Sequence, residues 1–375
     1  MKHLKYLNKF FWKYKKLLVI GTFFVTLSNL FALYPAEFVR KAFDTVINYN
    51  DTTINVSLII LKYSSLIVVF AILKGVFMYF MRQTIIVMSR KIEYDLKNEI
   101  YMQYQKLSMD FYKKNKTGDL MNRISEDISR VRMYVGPALM YTINITILFS
   151  LVLTKMFYIN SKLTIYVLIP LPILAVTVYF VSRKINYRSE KVQEKLSQLT
   201  TISQESFSGI KILKSSTNEN NLWKKFNRYC RDYTNKQLTL IKIEAFFFPS
   251  IVTLIGFSTT LTIYIGGLES IKGNISTGNI AEFIIYINML AWPVASIGWI
   301  TSLVQRAAAS QERINNFLLL KPKIQNHISE QTPIKGEICF NKVSLKYNNT
   351  NITALRNISF NIKQGETLGI FGKTG

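Results

Sequence analysis

The 375-residue chain is poor in the residue types that stabilise small secreted domains and zinc modules. It has only two cysteines, Cys230 and Cys339, which lie far apart, and two histidines. This number and spacing exclude a disulfide framework and a Cys/His zinc site, so we interpret both cysteines as reduced thiols. Acidic residues are also scarce, with 22 Asp and Glu against 47 Lys and Arg, which gives a net charge of +25. Such an excess of positive charge is typical of a protein that binds a polyanion or lies at a membrane surface.

Apolar residues are abundant, at 49% of the chain, and 13% of all residues are aromatic. A nucleic-acid-binding protein would carry its basic residues among polar ones, whereas here they lie between long apolar runs. Apolar runs separated by basic segments are typical of a membrane protein with positively charged cytoplasmic loops. We expect the lipid bilayer as a partner and no nucleic acid.

Six apolar runs approach or exceed the roughly 20 residues that a helix needs to cross a bilayer. They are Leu17–Leu33, Ser57–Met81, Ala138–Tyr158, Leu163–Val181, Phe246–Ile265 and Ile280–Val304. The first follows a lysine-rich start, as a secretory signal would, but it is long for a signal and further runs follow. The sequence therefore predicts six membrane-spanning helices.

The connections between these runs are unequal in length and charge. Residues 82–136 and 183–245 are long and rich in Lys and Arg, whereas residues 44–56 contain neither. Basic residues concentrate on the cytoplasmic side of membrane proteins. We therefore expect a multi-pass protein of the cell membrane whose N-terminus, two long loops and C-terminus are cytoplasmic.

Both long loops are predicted to be helical hairpins. An apolar stripe with spacings of three and four follows the fourth run, at Val192, Leu196, Leu199, Ile202, Ser206 and Ile210. In the first loop, Gly118 is suited to end one helix and Asp119 to cap the next. Two arms of about 27 residues would each reach roughly 40 Å from the membrane. A solvated coiled coil without a docking role is the alternative.

Near the C-terminus the apolar spacing changes to that of strands. Alternating apolar residues predict strands at residues 338–347 and 358–362, and Thr367–Phe371 predicts a third. The polar residues 348–351 predict a turn after the first strand. The third runs into Gly372, Lys373, Thr374 and Gly375, which match the first four positions of the phosphate-binding pattern G-x-x-x-x-G-K-[ST]. Lys373 follows the first glycine directly, so it is not the phosphate lysine.

Three separated segments together resemble one protein family. The segment FYKKNKTGDLMNRISEDI, from Phe111 to Ile128, resembles the first intracellular loop of ATP-binding cassette (ABC) exporters. The segment from Gln204 to Lys214 resembles the second loop of that family, and Val343–Tyr347 resembles its adenine-binding strand. Around the sixth run, Thr277-Gly278-Asn279 and Trp292-Pro293 are similar to multidrug-type exporters. The chain thus resembles an ABC half-transporter over nearly its whole length.

The resemblance implies an all-α polytopic membrane domain with long cytoplasmic hairpins, followed by the start of an α/β P-loop ATPase domain. We expect the membrane domain at residues 1–320, a linker at 321–335 and the beginning of the nucleotide-binding domain at 336–375. Residues implied to couple the two domains are Phe111, Gly118, Asp119, Arg123, Asp127, Glu205, Gly209 and Lys211. Residues implied to form part of the nucleotide site are Tyr347, Gly372, Lys373, Thr374 and Gly375.

ATP and Mg²⁺ are the cofactors that the resemblance implies for the full-length protein. Most of the phosphate-binding loop lies outside these 375 residues, so we do not expect them to hydrolyse ATP by themselves. The implied partner is a second half-transporter, identical or different. The implied substrate is a hydrophobic or amphipathic compound, drug-like or lipid-like.

Candidate residues of a substrate path are Lys74, Phe246, Tyr286, Met289, Trp292 and Trp299, because large polarisable side chains bind bulky compounds without detailed polar matching. Each aromatic could instead face lipid or a neighbouring helix. Lys74 could line a cavity or extend its amine to the head groups. The predicted function is ATP-driven export; a non-catalytic subunit that pairs with an intact partner is the alternative, and a channel or receptor is disfavoured by the C-terminal strands.

Overall fold

The computed structural model describes residues 2–47, 56–322, 324, 333–347 and 352–372, with the side chain of Lys2 excepted. The chain divides into two compact units, Met1–Lys321 and Pro322–Gly375. The first unit is helical, and the second contains a two-stranded sheet.

Within the described residues, six helices of the first unit are long and apolar enough to cross a membrane, which confirms the predicted count. We name them span 1 to span 6, and their bounds are Lys15–Ile47, Val56–Lys106, Thr117–Ile159, Ser161–Ser208, Glu219–Ile271 and Thr277–Leu318. Each is much longer than its apolar run. Span 2, with 51 residues, is about 77 Å long, whereas the hydrocarbon core of a bilayer is about 30 Å thick. The spans therefore continue well beyond the membrane.

The spans pack into a bundle in which span 6 is central. Span 1 packs along span 2 and span 4 along span 5, while span 6 contacts spans 1, 3, 4 and 5. One apolar core lies around Ile92, Val131 and Ile314, and a second around Val152 and Phe283. We call the end of the bundle with the first core the hairpin end, and the other the loop end.

Two short helices precede span 1, a 3-10 helix at Lys2–Leu7 and an α-helix at Asn8–Lys13. They lie against the extension of span 2, where the Lys9 amine is 2.6 Å from a Glu99 carboxylate oxygen and Lys13 is 2.6 Å from Asp95. The hydrogen bond to Asp95 raises the pKa of Lys13. The N-terminal segment is therefore held at the hairpin end.

Hairpin 1 consists of the extension of span 2, a short helix at Met109–Lys114 and the first half of span 3. The returning helix begins at Thr117 with Lys116 as its N-cap, and the Lys116 side chain makes no capping hydrogen bond. The expectation that Gly118 ends a helix and that Asp119 caps the next is therefore wrong. Lys116 already has the extended backbone of a cap, so both residues lie within the first helical turn. Span 3 then passes through π-helical turns at Arg123–Asp127 and Tyr134–Ala138.

Hairpin 2 joins spans 4 and 5. Span 4 ends at Ser208, a short helix follows at Ile210–Ser215, and span 5 begins at Glu219. The predicted apolar stripe is buried at Val192 and Ile202, but Ile210 is exposed. The stripe is interrupted because the helix breaks at Gly209, so Ile210 belongs to the next helix.

Span 3 carries four exposed hydroxyl residues at every fourth position, Thr142, Thr146, Ser150 and Thr154. Each hydroxyl donates to the carbonyl four residues earlier, at distances of 2.7 to 2.9 Å. The donors are thus satisfied within the helix itself. We call this row the hydroxyl ladder.

The second unit contains the antiparallel strands β1, Ile338–Lys346, and β2, Thr353–Ile362. The rings of Phe340 and Phe360 stack across the pair with centroids 4.4 Å apart. The prediction of a strand at Thr367–Phe371 is wrong, because these residues have no strand structure. Nothing in the described part of the chain pairs with this segment, and Phe371 is exposed. The turn predicted at residues 348–351 lies outside the described residues.

Candidate functional site

A cavity of about 350 Å³ lies between spans 1, 2, 3 and 6. Three residues of the predicted substrate path line it, Lys74, Met289 and Trp292. The Trp292 ring is 5.7 Å from the Tyr141 ring, centroid to centroid, and remains largely exposed. The cavity is also lined by Ser28, Asn29, Ala32, Met78, Met81, Arg82, Met140, Tyr141, Asn144, Leu148, Asn288 and Pro293.

The charges of this cavity are all positive. Lys74 and Arg82, both on span 2, are exposed and line it, and no acidic residue within the described ranges does. Among the residues that the structure describes, neither cation forms an ion pair. The Asn29 amide donates to the Asn144 side-chain oxygen at 2.9 Å, which ties span 1 to span 3 in the wall. The cavity thus offers two unneutralised cations in a wall of amides, methionines and aromatic rings.

The other predicted path residues lie elsewhere. Trp299 packs on Tyr141 at 5.6 Å but does not line the cavity, and Phe246 is exposed on span 5. Tyr286 is fully buried, and its hydroxyl donates to a Glu282 carboxylate oxygen at 2.7 Å. Glu282 is also 3.2 Å from Arg40. The structure therefore places Tyr286 in a buried network between spans 1 and 6.

Near that network, the loop end holds span 1 to the beginning of span 6. Asp44 accepts hydrogen bonds from the Gly278 backbone N–H at 2.9 Å and from the Ser276 hydroxyl at 2.8 Å. A carboxylate is favoured at a helix N-terminus because unpaired N–H groups point toward it. Gly278 leaves room for this contact, since a Cβ there would lie 2.5 Å from the Arg40 carbonyl oxygen. Asp44 was not predicted, because it is one of three acidic residues between the first two predicted spans and no motif distinguishes it.

At the hairpin end, Asp127 holds hairpin 1 to the last turns of span 6. The Asp127 carboxylate is buried and accepts from Arg313, with the Nε–Oδ2 distance at 3.0 Å, and from the Ser310 hydroxyl at 2.9 Å. These charge-assisted bonds join two elements that are far apart in sequence.

A ring cluster stands beside this ion pair. The Phe317 ring is 4.6 Å from the Tyr104 ring and 5.9 Å from the Phe111 ring, and the Arg123 guanidinium lies 4.9 Å from its centroid. We call Asp127, Arg313 and this ring cluster the span 6 clasp. Phe111, Arg123 and Asp127 were predicted as coupling residues from the resemblance, and the structure brings all three to span 6. Their partners Phe317 and Arg313 were missed because their spacing carries no motif.

The remaining predicted coupling residues lie near the turns of the two hairpins. Gly118, Asp119, Glu205 and Lys211 are exposed, and Gly209 is half-buried at the helix break. Large apolar side chains accompany them: the exposed fractions are 70% for Met109, 77% for Phe207 and 75% for Ile212. Large exposed apolar side chains beyond the membrane-spanning runs are candidates for contact with another protein unit. We call these three residues the tip residues.

The described residues contain only part of the predicted nucleotide site. The Tyr347 ring is half exposed, and its backbone N–H donates to the Ile352 carbonyl at 2.9 Å. Gly372 is exposed, and Lys373, Thr374 and Gly375 lie outside the described residues. Within the described ranges, no group of three or more His, Cys, Asp or Glu residues could hold a metal ion.

Among the described residues, six long apolar helices that extend well beyond the thickness of a bilayer define a multi-pass α-helical membrane protein. Residues 18–294 match the family model described as the ABC transporter transmembrane region. The chain therefore belongs to the family of ABC transporter transmembrane regions, as the resemblance predicted.

Relatives carry names that agree with the predicted multidrug type. The chain is 30% identical to a multidrug resistance-like ATP-binding protein, MdlA, of Buchnera aphidicola subsp. Baizongia pistaciae, over all of this chain and 64% of that protein. It is 31% identical to a probable multidrug resistance ABC transporter of Bacillus subtilis, YheI, over 72% of this chain and 46% of that protein. An ATP-dependent lipid A-core flippase of Syntrophus aciditrophicus is 27% identical over 82% of this chain and 51% of that protein. The chain thus spans about half to two thirds of these relatives.

Proposed function

We propose that the chain forms the transmembrane half of an ATP-driven exporter that moves hydrophobic or amphipathic compounds out across the membrane by alternating access. ATP and Mg²⁺ would bind in a nucleotide-binding domain that begins with β1 and β2. A second half-transporter, identical or different, would complete the path. The N-terminus, both hairpins and the C-terminus would lie in the cytoplasm, as the basic loops predict.

The observation that carries this proposal is the continuity of span 2. One unbroken helix, Val56–Lys106, contributes Lys74 and Arg82 to the cavity and ends beside the short helix of hairpin 1. From Arg82 to Lys106 the helix extends about 36 Å. A displacement at the hairpin end is therefore transmitted to the cavity wall as a rigid-body movement of the helix.

The tip residues support a docking role for both hairpins. The short helix of each hairpin carries an exposed apolar side chain, Met109 in hairpin 1 and Ile212 in hairpin 2, and such side chains favour contact with another domain over exposure to water. A nucleotide-binding domain that closes on ATP would then move both hairpins together.

The test uses the full-length protein, extended through a complete nucleotide-binding domain and reconstituted in lipid vesicles. We expect ATP-dependent accumulation of a fluorescent amphiphile and stimulation of ATP turnover by it. Trp292→Ala should weaken this stimulation, because the indole lines the cavity. Trp223→Ala is the matched control, since Trp223 is equally exposed but lies on hairpin 2 outside the cavity lining. Failure of the unmodified protein to move any amphiphile in the presence of ATP would overturn the proposal.

A further inference from the structure

We propose that the cavity between spans 1, 2, 3 and 6 binds the anionic head group of an amphiphile on Lys74 and Arg82. This deepens the proposed function by naming its substrate class, and rests on it for the idea that the bound compound is transported. The ligand class is an amphiphile with a phosphate, sulfate or carboxylate head and an apolar tail.

Lys74 lies deep within the membrane-spanning part of span 2. The Ser28 hydroxyl donates to the Lys74 carbonyl at 3.2 Å, so the two residues lie at one level of the bundle. Ser28 is twelve residues beyond Lys16, the last lysine before the apolar run Leu17–Leu33, which is about 18 Å along the helix and near the middle of a bilayer core. A lysine side chain is too short to reach the head groups from there, so snorkelling does not account for its charge.

Lys74 and Arg82 also lack a counter-ion among the residues that the structure describes. A charge at this depth is costly unless it is paired or faces a polar cavity. Within the described ranges no carboxylate pairs with Lys74 or Arg82, and the cavity lining holds none. Both cations face the same cavity, where an anion would neutralise them.

The rest of the lining suits the remainder of an amphiphile. Asn29, Asn144 and Asn288 supply amides near the cations, and methionines and the Trp292 and Tyr141 rings supply apolar surface. Methionine and aromatic side chains adapt to tails of varied shape. A volume of about 350 Å³ falls in the range of small-molecule sites, which is about 300–1,000 Å³.

The test measures quenching of tryptophan fluorescence by tail-brominated amphiphiles. The 375-residue chain is placed in nanodiscs of phosphatidylcholine and titrated with 11-bromoundecyl phosphate or with 11-bromoundecyl trimethylammonium. We expect the phosphate to quench Trp292 at a concentration about tenfold lower than the ammonium, because it alone pairs with the cations. Trp292→Phe should remove the saturable quenching and so assign it to the cavity.

Lys74→Gln and Arg82→Gln should each remove most of the preference for phosphate. Lys62→Gln is the matched control, because Lys62 is an exposed lysine of the same helix outside the cavity lining. A second arm compares brominated phosphatidylglycerol with brominated phosphatidylcholine in the disc. Selective quenching by phosphatidylglycerol identifies a bilayer lipid as the source, and quenching by the alkyl phosphate alone identifies a soluble amphiphile; either result supports an anionic ligand.

Equal quenching by phosphate and ammonium, or an unchanged preference in both glutamine variants, would overturn the inference. The two cations would then be neutralised in another way, such as by a carboxylate of a second copy. The assay uses no ATP and no transport, so it can succeed where the export proposal fails, and the reverse.

Discussion

At the scale of single residues, the Asp127–Arg313 pair gives a quantitative expectation. Arg313→Ala leaves the buried Asp127 carboxylate with Ser310 as its remaining side-chain donor. We expect a loss of about 1–2 kcal/mol in stability, less than for a fully buried pair because the Arg313 guanidinium is half exposed. Thermal unfolding in detergent measures it. Combining Arg313→Ala with Asp127→Asn should cost less than the sum of the single changes, and simple additivity would show that the two residues do not interact.

Gly278 offers a second residue-scale test, because the chain contains a matched glycine. A Cβ at Gly278 would lie 2.5 Å from the Arg40 carbonyl oxygen and 2.6 Å from Asp44 Oδ1, whereas a Cβ at Gly75 meets nothing within 4 Å. We expect Gly278→Ala to destabilise by about 1–3 kcal/mol through overpacking. Gly75→Ala should stabilise by about 1 kcal/mol through helix propensity. Similar melting temperatures for the two variants would contradict the close contact between spans 1 and 6.

At the scale of elements, the structure separates two kinds of residue in hairpin 1. Phe111 packs against Phe317 inside the first unit, whereas Met109 projects outward. In the full-length protein we expect Met109→Asp with Ile212→Asp to abolish most substrate-stimulated ATP turnover, while nucleotide affinity and melting temperature stay near those of the unmodified protein. The reason is that a charge opposes apolar docking. The control is Met102→Asp, at an exposed position on the arm.

Phe111→Ala should behave differently from the tip variants. Removing its ring takes away contacts with Phe317 and leaves a gap in a half-buried cluster. We expect a lower melting temperature, by an amount equivalent to about 1–3 kcal/mol. Should Phe111→Ala instead leave the melting temperature unchanged and uncouple ATP turnover, this residue would belong to the docking surface.

The sequence predicted the elements better than their ends. Hydropathy located all six spans, because the bilayer demands a long apolar run. It could not locate the helix ends, since helices continue into water wherever other contacts support them. Gly118 shows why short sequence signals did not locate the start of the returning helix. Gly118 and Asp119 are typical turn residues, but the helix begins at Thr117, with Lys116 as its N-cap.

The candidate site was predicted only in part for a related reason. Lys74 stood out because a charge within an apolar run is costly, and it does line the cavity. Tyr286 matched the same aromatic criterion as Trp292 but is buried against Glu282. Composition alone does not tell which face of a helix meets the cavity. The span 6 clasp was not predicted, because its residues are far apart in sequence and meet only in the folded structure.

At the scale of the whole molecule, the expected orientation can be tested by labelling. On a background with Cys230→Ser and Cys339→Ser, a cysteine at Ser161 should react with an impermeant maleimide in intact cells. A cysteine at Ser215, on the short helix of hairpin 2, should react only after permeabilisation. Both sites are exposed, so accessibility within the protein does not differ between them. Reaction at Ser215 in intact cells would reverse the orientation proposed from the basic loops.

The hydroxyl ladder of span 3 has a consequence for the molecule as a whole. Its four hydroxyls donate to carbonyls of their own helix, so they need no outside partner when lipid covers them. Each can also exchange that bond for one to water at little net cost. This face of span 3 can therefore contact either lipid or water at a similar free energy. The helix can rotate this face from the lipid into a water-filled path without a large cost in free energy.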